Sequence, residues 1–279
     1  MGFLRVRILG LRRPCSTYMH LSQSPFCVLT ITSAAGAETT SAAMAWWMLA
    51  MVTYPDVQKR AQEELDSVVG RTRIPNFADL PHLPYIRAMV KEALRWRPVD
   101  PLGLPHLSTE DDWYNGMFIP KGSIMIANVW NLNRDTEIYG ADAAQFNPAR
   151  FLDTKGGVRS CAPETKEEGH VTYGFGRRVC VGKHVANNSL FIDFAMMLWA
   201  CKIEPGKDER GNVIPIDVDG CIEDGLVVWV LFLHSSIVEP SELILLLTAS
   251  RPVPFKVDIS PRFPEAVALL AAENEFESL

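Results

Sequence analysis

The chain has 279 residues, 48% hydrophobic and 22% charged, with a formal net charge of −6. That composition suits a globular core and gives no support to a nucleic-acid partner. Six cysteines (Cys15, Cys27, Cys161, Cys180, Cys201, Cys221) lack C-x-x-C spacing, which argues against a zinc site or a disulfide scaffold and for a reducing compartment.

Residues 1–30 show scattered apolar residues without a clear period. Met1 to Arg13 carries four arginines but no sustained hydrophobic stretch, so neither a signal peptide nor an anchor is expected there. Small and apolar residues from Ile31 to Tyr54 predict a long helix. Its part from Ala34 to Tyr54 has Glu38 as its only charge and is long enough to span a bilayer. The acid, the glycine and the paired threonines favour a central core helix lining a cavity, with a membrane span as the alternative. Pro55 suits a first helical turn, and Val57, Ala61, Leu65 and Val68 repeat at helical spacing until Gly70. A proline-bearing loop leads to a helix over Tyr85–Trp96, stopped by Pro98. Short strands are expected at Leu102–Leu104 and Met117–Ile119, and a strand or helix start at Ile124–Val129. Thr154–His170 reads as loop, an apolar helical pattern begins near Val185, and Leu190–Cys201 reads as a buried helix. From Ile214 onward the β-branched runs predict short strands and turns. The fold class is mainly α with a minor β part.

The most telling run is Tyr173-Gly174-Phe175-Gly176-Arg177-Arg178-Val179-Cys180-Val181-Gly182. Glycines let backbone fold under a flat ligand where side chains would collide. Arginine offers a planar donor for carboxylates, and a cysteine before a helix start favours thiolate, the metal-binding form. The run predicts one sulfur presented to haem iron, with Arg178 for a propionate. A glycine-rich turn before a buried cysteine is the plain alternative. These residues resemble the haem loop of the cytochromes P-450, F-x-x-G-x-R-x-C-x-G, with Tyr173 where phenylalanine is expected. A buried phenol there would need a hydrogen-bond partner.

Further segments carry the resemblance. Ala35-Gly36-Ala37-Glu38-Thr39-Thr40 is similar to the family's oxygen-binding motif. Gly36 leaves room for a diatomic ligand, and a threonine hydroxyl can bond the backbone and open the helix locally. Thr39 would hold dioxygen or a water, and Glu38 would relay protons; solvent-facing residues on an ordinary helix are the alternative. Glu92 and Arg95, spaced to share one helix face, resemble E-x-x-R, and Pro148-Ala149-Arg150-Phe151 resembles P-x-R-F. The resemblance implies a buried network of Glu92, Arg95 and Arg150 that fixes the haem loop. His106 is either a propionate donor or a capping residue. Ala35, Val99, Leu102 and Leu226 match segments that line the substrate pocket. Trp130-x-x-x-Arg134 mimics a propionate motif in the wrong part of the chain and is rejected.

The resemblance implies a P-450-like fold represented by its C-terminal half. The chain divides into an unmatched segment (1–30), the matched domain (31–228), an atypical insertion that a retained intron or a misplaced gene boundary would explain (229–250), and closing strands with a tail (251–279). It further implies haem b (iron protoporphyrin IX) with Cys180 thiolate as axial ligand and Gly174, Gly176 and Gly182 in the cofactor loop. The implied activity inserts one oxygen of O2 into a small lipophilic substrate, with electrons from an NADPH-dependent reductase. The motifs look fungal, a setting of secondary metabolism or detoxification. No oligomer is expected; the family's place is the cytosolic face of the endoplasmic reticulum membrane, and with no anchor read in this chain its own place is cytoplasmic or open. The alternative is an inactive fragment with weak or no haem binding.

Overall fold

The computed structural model describes residues 6–7, 25–161, 165, 167–223 and 249–276. Strand β1 (Val6–Arg7) is followed by helices α1 (Pro25–Thr53), α2 (Pro55–Val68) and α3 (Pro84–Trp96). Next come strands β2 (His106–Ser108), β3 (Asp112–Tyr114), β4 (Met117–Ile119) and β5 (Ile124–Met125), then the one-turn helices α4 (Val129–Leu132) and α5 (Thr136–Tyr139). After a long irregular stretch lies α6 (Lys183–Ala200), leading into strand β6 (Cys201–Pro205). Strands β7 (Cys221–Glu223), β8 (Ser250–Pro252) and β9 (Val257–Pro261) and helix α7 (Glu265–Phe276) complete the described elements. The structure is mainly α with a minor β part.

Three helices build the core because each buries large side chains against the others. Trp47 of α1 stacks on Phe194 of α6 with centroids 4.2 Å apart, and its Nε1 donates to Met89 Sδ of α3 at 3.1 Å. Trp46, Trp47, Leu49, Ala50 and Met51 are all buried, so the apolar run of α1 faces protein. Each large side chain so buried contributes roughly 1.5–3 kcal/mol. None of the described helices is long and apolar enough to cross a membrane.

Helix boundaries follow local chemistry. Pro55 and Pro84 occupy first-turn positions, where the missing N–H costs nothing. Gly70, at φ +73°, ends α2 by donating back to Leu65 O at 3.2 Å. Strands β1, β2 and β5 form one antiparallel sheet, and β6–β9 and β7–β8 are two-stranded pairs. The β3–β4 hairpin turns at Asn115-Gly116, both at positive φ, as a tight right-twisted hairpin demands.

Three expectations are corrected. Helix α1 begins at Pro25, ahead of Ile31. Helix α6 begins at Lys183, beside the start expected near Val185, and its buried residues begin at Leu190. Leu102–Leu104 is a turn, closed by Gly103 N–H on Asp100 O at 3.3 Å, and the strand falls at His106–Ser108. Residues 265–276, expected as strand and turn, are a helix, consistent with Ala, Leu and Glu as strong helix formers. Of the atypical segment, 229–248 lie outside the described residues, as does Leu226. Ala249 and Ser250 are buried, and Ser250 pairs with Glu223 across β7–β8.

Candidate functional site

The loop ahead of α6 is a backbone scaffold that turns its side chains outward. Gly174 and Gly176 take φ +78° and +59°, and a Cβ on either would meet nothing within 4 Å. Cys180 N–H donates to Tyr173 O at 2.8 Å and Arg178 N–H to Phe175 O at 3.2 Å, which closes the loop upon itself. Cys180 is exposed, Val181 is 94% exposed, and Phe175 and Arg178 also reach solvent. The sulfur is therefore not a buried core thiol. The Arg178 guanidinium makes no ion pair among the described residues. A Cβ on Gly182 would lie 3.9 Å from the Cys180 sulfur.

Behind the loop, polar groups are paired except His170 Nε2, which has no hydrogen-bond partner among the described residues. Tyr173 is half-buried and its hydroxyl donates to Asn187 Oδ1 at 2.7 Å, the partner that the phenol required. Burial, then the Glu168 charge, raises the Tyr173 pKa. Asn187 Nδ2 donates to Glu168 Oε2 at 3.1 Å, and Lys183 and Lys91 approach the same carboxylate at 3.2 and 3.7 Å. His170, 2% exposed, accepts at Nδ1 from Thr172 N–H at 3.3 Å, and its ring lies 5.4 Å from that of Tyr173. Burial, then Lys91, Arg95 and Lys183, pushes the His170 pKa down to about 3, so the ring is neutral.

Glu92, Arg95 and Arg150 meet as one network. Glu92 and Arg95 are both fully buried and joined twice, at 2.6 Å (Nε–Oε2) and 2.7 Å (Nη2–Oε1). Arg95 spends its remaining donors on the carbonyls of Asn133, Ala143 and Gln145 at 2.6, 2.7 and 3.0 Å. Glu92 Oε1 also accepts from Asn147 N–H at 2.7 Å and from Arg150 Nε at 3.1 Å. Burial works against the Arg150 charge, but Glu92 and Asp142 outweigh it and raise its pKa. Every charge of this network is thus met by hydrogen bonds, as burial requires.

Asn133 links this network to the loop, and motif matching gave no sign of it. Its carbonyl takes Arg95, its Oδ1 takes Val171 N–H at 2.9 Å, and its Nδ2 donates to Thr172 Oγ1 at 2.9 Å. Thr172 in turn donates to Leu94 O at 2.7 Å. Glu168 and Asn187 are likewise unheralded by any spacing. The Trp130–Arg134 pair is internal packing: the guanidinium lies 3.3 Å from the ring centroid and donates to the Trp96 carbonyl.

On α1 the exposed face carries Gly36, Ala37 and Thr39, with Ala35 and Glu38 half-buried. Thr39 Oγ1 donates to Ala35 O at 2.7 Å, and the helix stays continuous rather than opening. Glu38 lies 4.0 Å from Arg251 of β8. Val99 is 6% exposed within the core, whereas Leu102 is 51% exposed. His106 is half-buried on β2, opposite Met125. A cavity of about 550 Å³, lined by Arg87, Lys91, Glu168, Lys183 and His184, opens beside α6. It includes neither Cys180 nor Thr39, so it is not where a cofactor of this kind would sit.

The donor set fits haem. Among the described residues no three metal-ligating side chains gather into a site, yet a porphyrin supplies four nitrogens and needs a single protein sulfur. Cys180 offers that sulfur, the two loop glycines leave a clear approach, and Arg178 is exposed and makes no ion pair among the described residues.

Residues 26–218 match the family model for cytochrome P450. The chain is 64% identical over 242 residues to a cytochrome P450 monooxygenase of Armillaria gallica, covering 87% of this chain and 42% of that protein. It is 48% identical to cytochrome P450 monooxygenase 58 of Postia placenta, covering 85% and 40%. With the cytochrome P450 monooxygenase iboC of Amanita muscaria the identity is 41%, covering 86% and 47%. The chain thus spans less than half the length of these relatives.

Proposed function

The chain belongs to the cytochrome P450 family, and from that premise we propose that it carries the haem-binding, oxygen-activating part of a monooxygenase acting on a lipophilic substrate. One observation carries the reading: the exposed Cys180 sulfur, set between open glycines on a loop braced from behind by the Glu92–Arg95–Asn133 network. When bound, haem supplies the iron centre at which O2 is reduced and one oxygen atom is delivered to a C–H bond.

This chain's residues would divide the remaining work. Cys180 would hold the metal as thiolate, and Arg178 and His106 would hold the carboxylates of the macrocycle. Gly174, Gly176 and Gly182 would leave room for it beside the loop. Thr39, whose hydroxyl proton is committed to Ala35 O, has oxygen lone pairs left to accept a proton donor. Glu38 would pass protons toward that hydroxyl. Ala35, Val99, Leu102 and Leu226 would bound the substrate. Electrons would come from an NADPH-dependent reductase on the cytosolic face of the endoplasmic reticulum, as the family membership suggests.

The test is a carbon-monoxide difference spectrum of the reduced, haem-supplemented chain. The wild type is expected to give the long-wavelength Soret band of thiolate ligation, and Cys180→Ser to lose it while keeping its far-UV circular dichroism. An unchanged band in Cys180→Ser would overturn the assignment. The openness of Cys180 and Val181 favours a second reading, a chain that folds without retaining haem, and a wild type lacking any band would establish it.

A further inference from the structure

Asp100 opens the turn 100–103, where its carboxylate accepts the backbone N–H groups of Leu102 and Gly103. Trp130 N–H pins the same turn by donating to Pro101 O at 2.9 Å. No cationic side chain compensates the carboxylate among the described residues, and residues 224–248 contain neither lysine nor arginine. Burial pushes its pKa up to about 6, with only the two backbone bonds opposing. Asparagine would accept the same two bonds without a charge to desolvate. A carboxylate here therefore costs stability that an amide would not.

The position of the turn gives that charge a use. Val99, the preceding residue, accepts Ser250 N–H at 2.7 Å, and Ser250 O accepts Trp46 Nε1 at 2.8 Å. Arg251, next along β8, lies 4.0 Å from Glu38. Strand β8 thus ties the Asp100 turn to the stretch of α1 that exposes Gly36, Ala37 and Thr39. Leu102 and Leu104 flank the carboxylate with exposed apolar surface, 51% and 44% accessible. An anion beside leucines, partly buried and without a counter-ion among the described residues, recognises a cation attached to an apolar body.

We propose that Asp100 makes this site selective for a substrate bearing a protonated or quaternary amine on a hydrocarbon frame, the cation seated at Asp100 and the frame against Leu102. The inference rests on the α1 face being the substrate side, as in the reading above. Calorimetric titration of the haem-supplemented full chain at pH 8 tests it, using octyltrimethylammonium and octan-1-ol at monomeric concentrations. The quaternary probe cannot ligate a metal or change its charge with pH. It is expected to bind at least about tenfold tighter than the alcohol, and Asp100→Asn is expected to erase that ratio while leaving alcohol binding unchanged. Should the asparagine variant not fold, Asp100→Ser repeats the comparison. Glu110→Gln, which removes an exposed acid, is expected to keep the preference. An undiminished ratio in the Asp100 variants, an equal loss in Glu110→Gln, or no binding of either probe overturns the inference. The carbon-monoxide band is read separately. Its absence alongside a charge preference sinks the haem reading, whereas a normal band without preference sinks this one.

Discussion

The Glu92–Arg95–Arg150 network and the Tyr173–Gly182 loop are bonded in space through Asn133, yet they follow opposite rules. In the first, both central side chains are fully buried and each Arg95 donor has an acceptor. In the second, Arg178 and Cys180 are exposed and the glycines face open space. A group whose valences are all met inside the protein serves geometry. A group left open on a rigid loop is available to a ligand. The contrast predicts that damage to the network falls on stability and damage to the loop surface falls on ligand binding.

The largest effect is expected from Glu92→Gln, which leaves Arg95 buried without its anion and Arg150 with Asp142 alone. Chemical denaturation should show a loss of about 3–5 kcal/mol, and a loss under about 1 kcal/mol would mean that the two regions do not differ as described. Next comes acid. The folded-state pKa of His170, about 3, lies below its ordinary 6.5, so the unfolded chain binds the extra proton first as pH drops. The stabilisation is complete above about pH 6.5 and is lost as pH falls toward about 3, at up to about 1.4 kcal/mol per pH unit. His170→Phe should flatten that part of the pH–stability curve. A slope unchanged in the variant would assign the acid sensitivity to other groups. The smallest effect belongs to Tyr173→Phe, which restores the residue that the loop pattern expects. It removes one bond to Asn187, still held by Glu168, and should cost about 1 kcal/mol with the spectrum of any bound haem unmoved. A spectral shift there would place the phenol in the ligand's surroundings rather than behind the loop.

Much of the scaffold is legible in the sequence because its signals are local. Pro55, Gly70 and Pro84 mark boundaries through their own backbone restrictions, and Met117–Ile119 reads as a strand from its composition. The turn at Leu102–Leu104 is not, since hydrophobic pattern alone cannot distinguish a leucine-bearing loop from a strand. Glu92, Arg95 and Arg150 stand out through motif spacing, but their partners do not. Arg95 bonds Asn133, Ala143 and Gln145, which lie 38, 48 and 50 residues away.

By itself the sequence singled out the groups on which the proposed haem site and its supporting network rest. They are one thiol among glycines, an acid and a hydroxyl on a glycine-bearing helix, and an acid with two arginines. Tertiary structure alone decided that Asn133 joins network to loop, that Tyr173 is answered by Asn187, and that Ser250 brings the Asp100 turn to the helix of Glu38. The reason is physical. Side-chain bonds to distant backbone groups have no period and no fixed spacing, so they exist only once packing has brought the partners within reach.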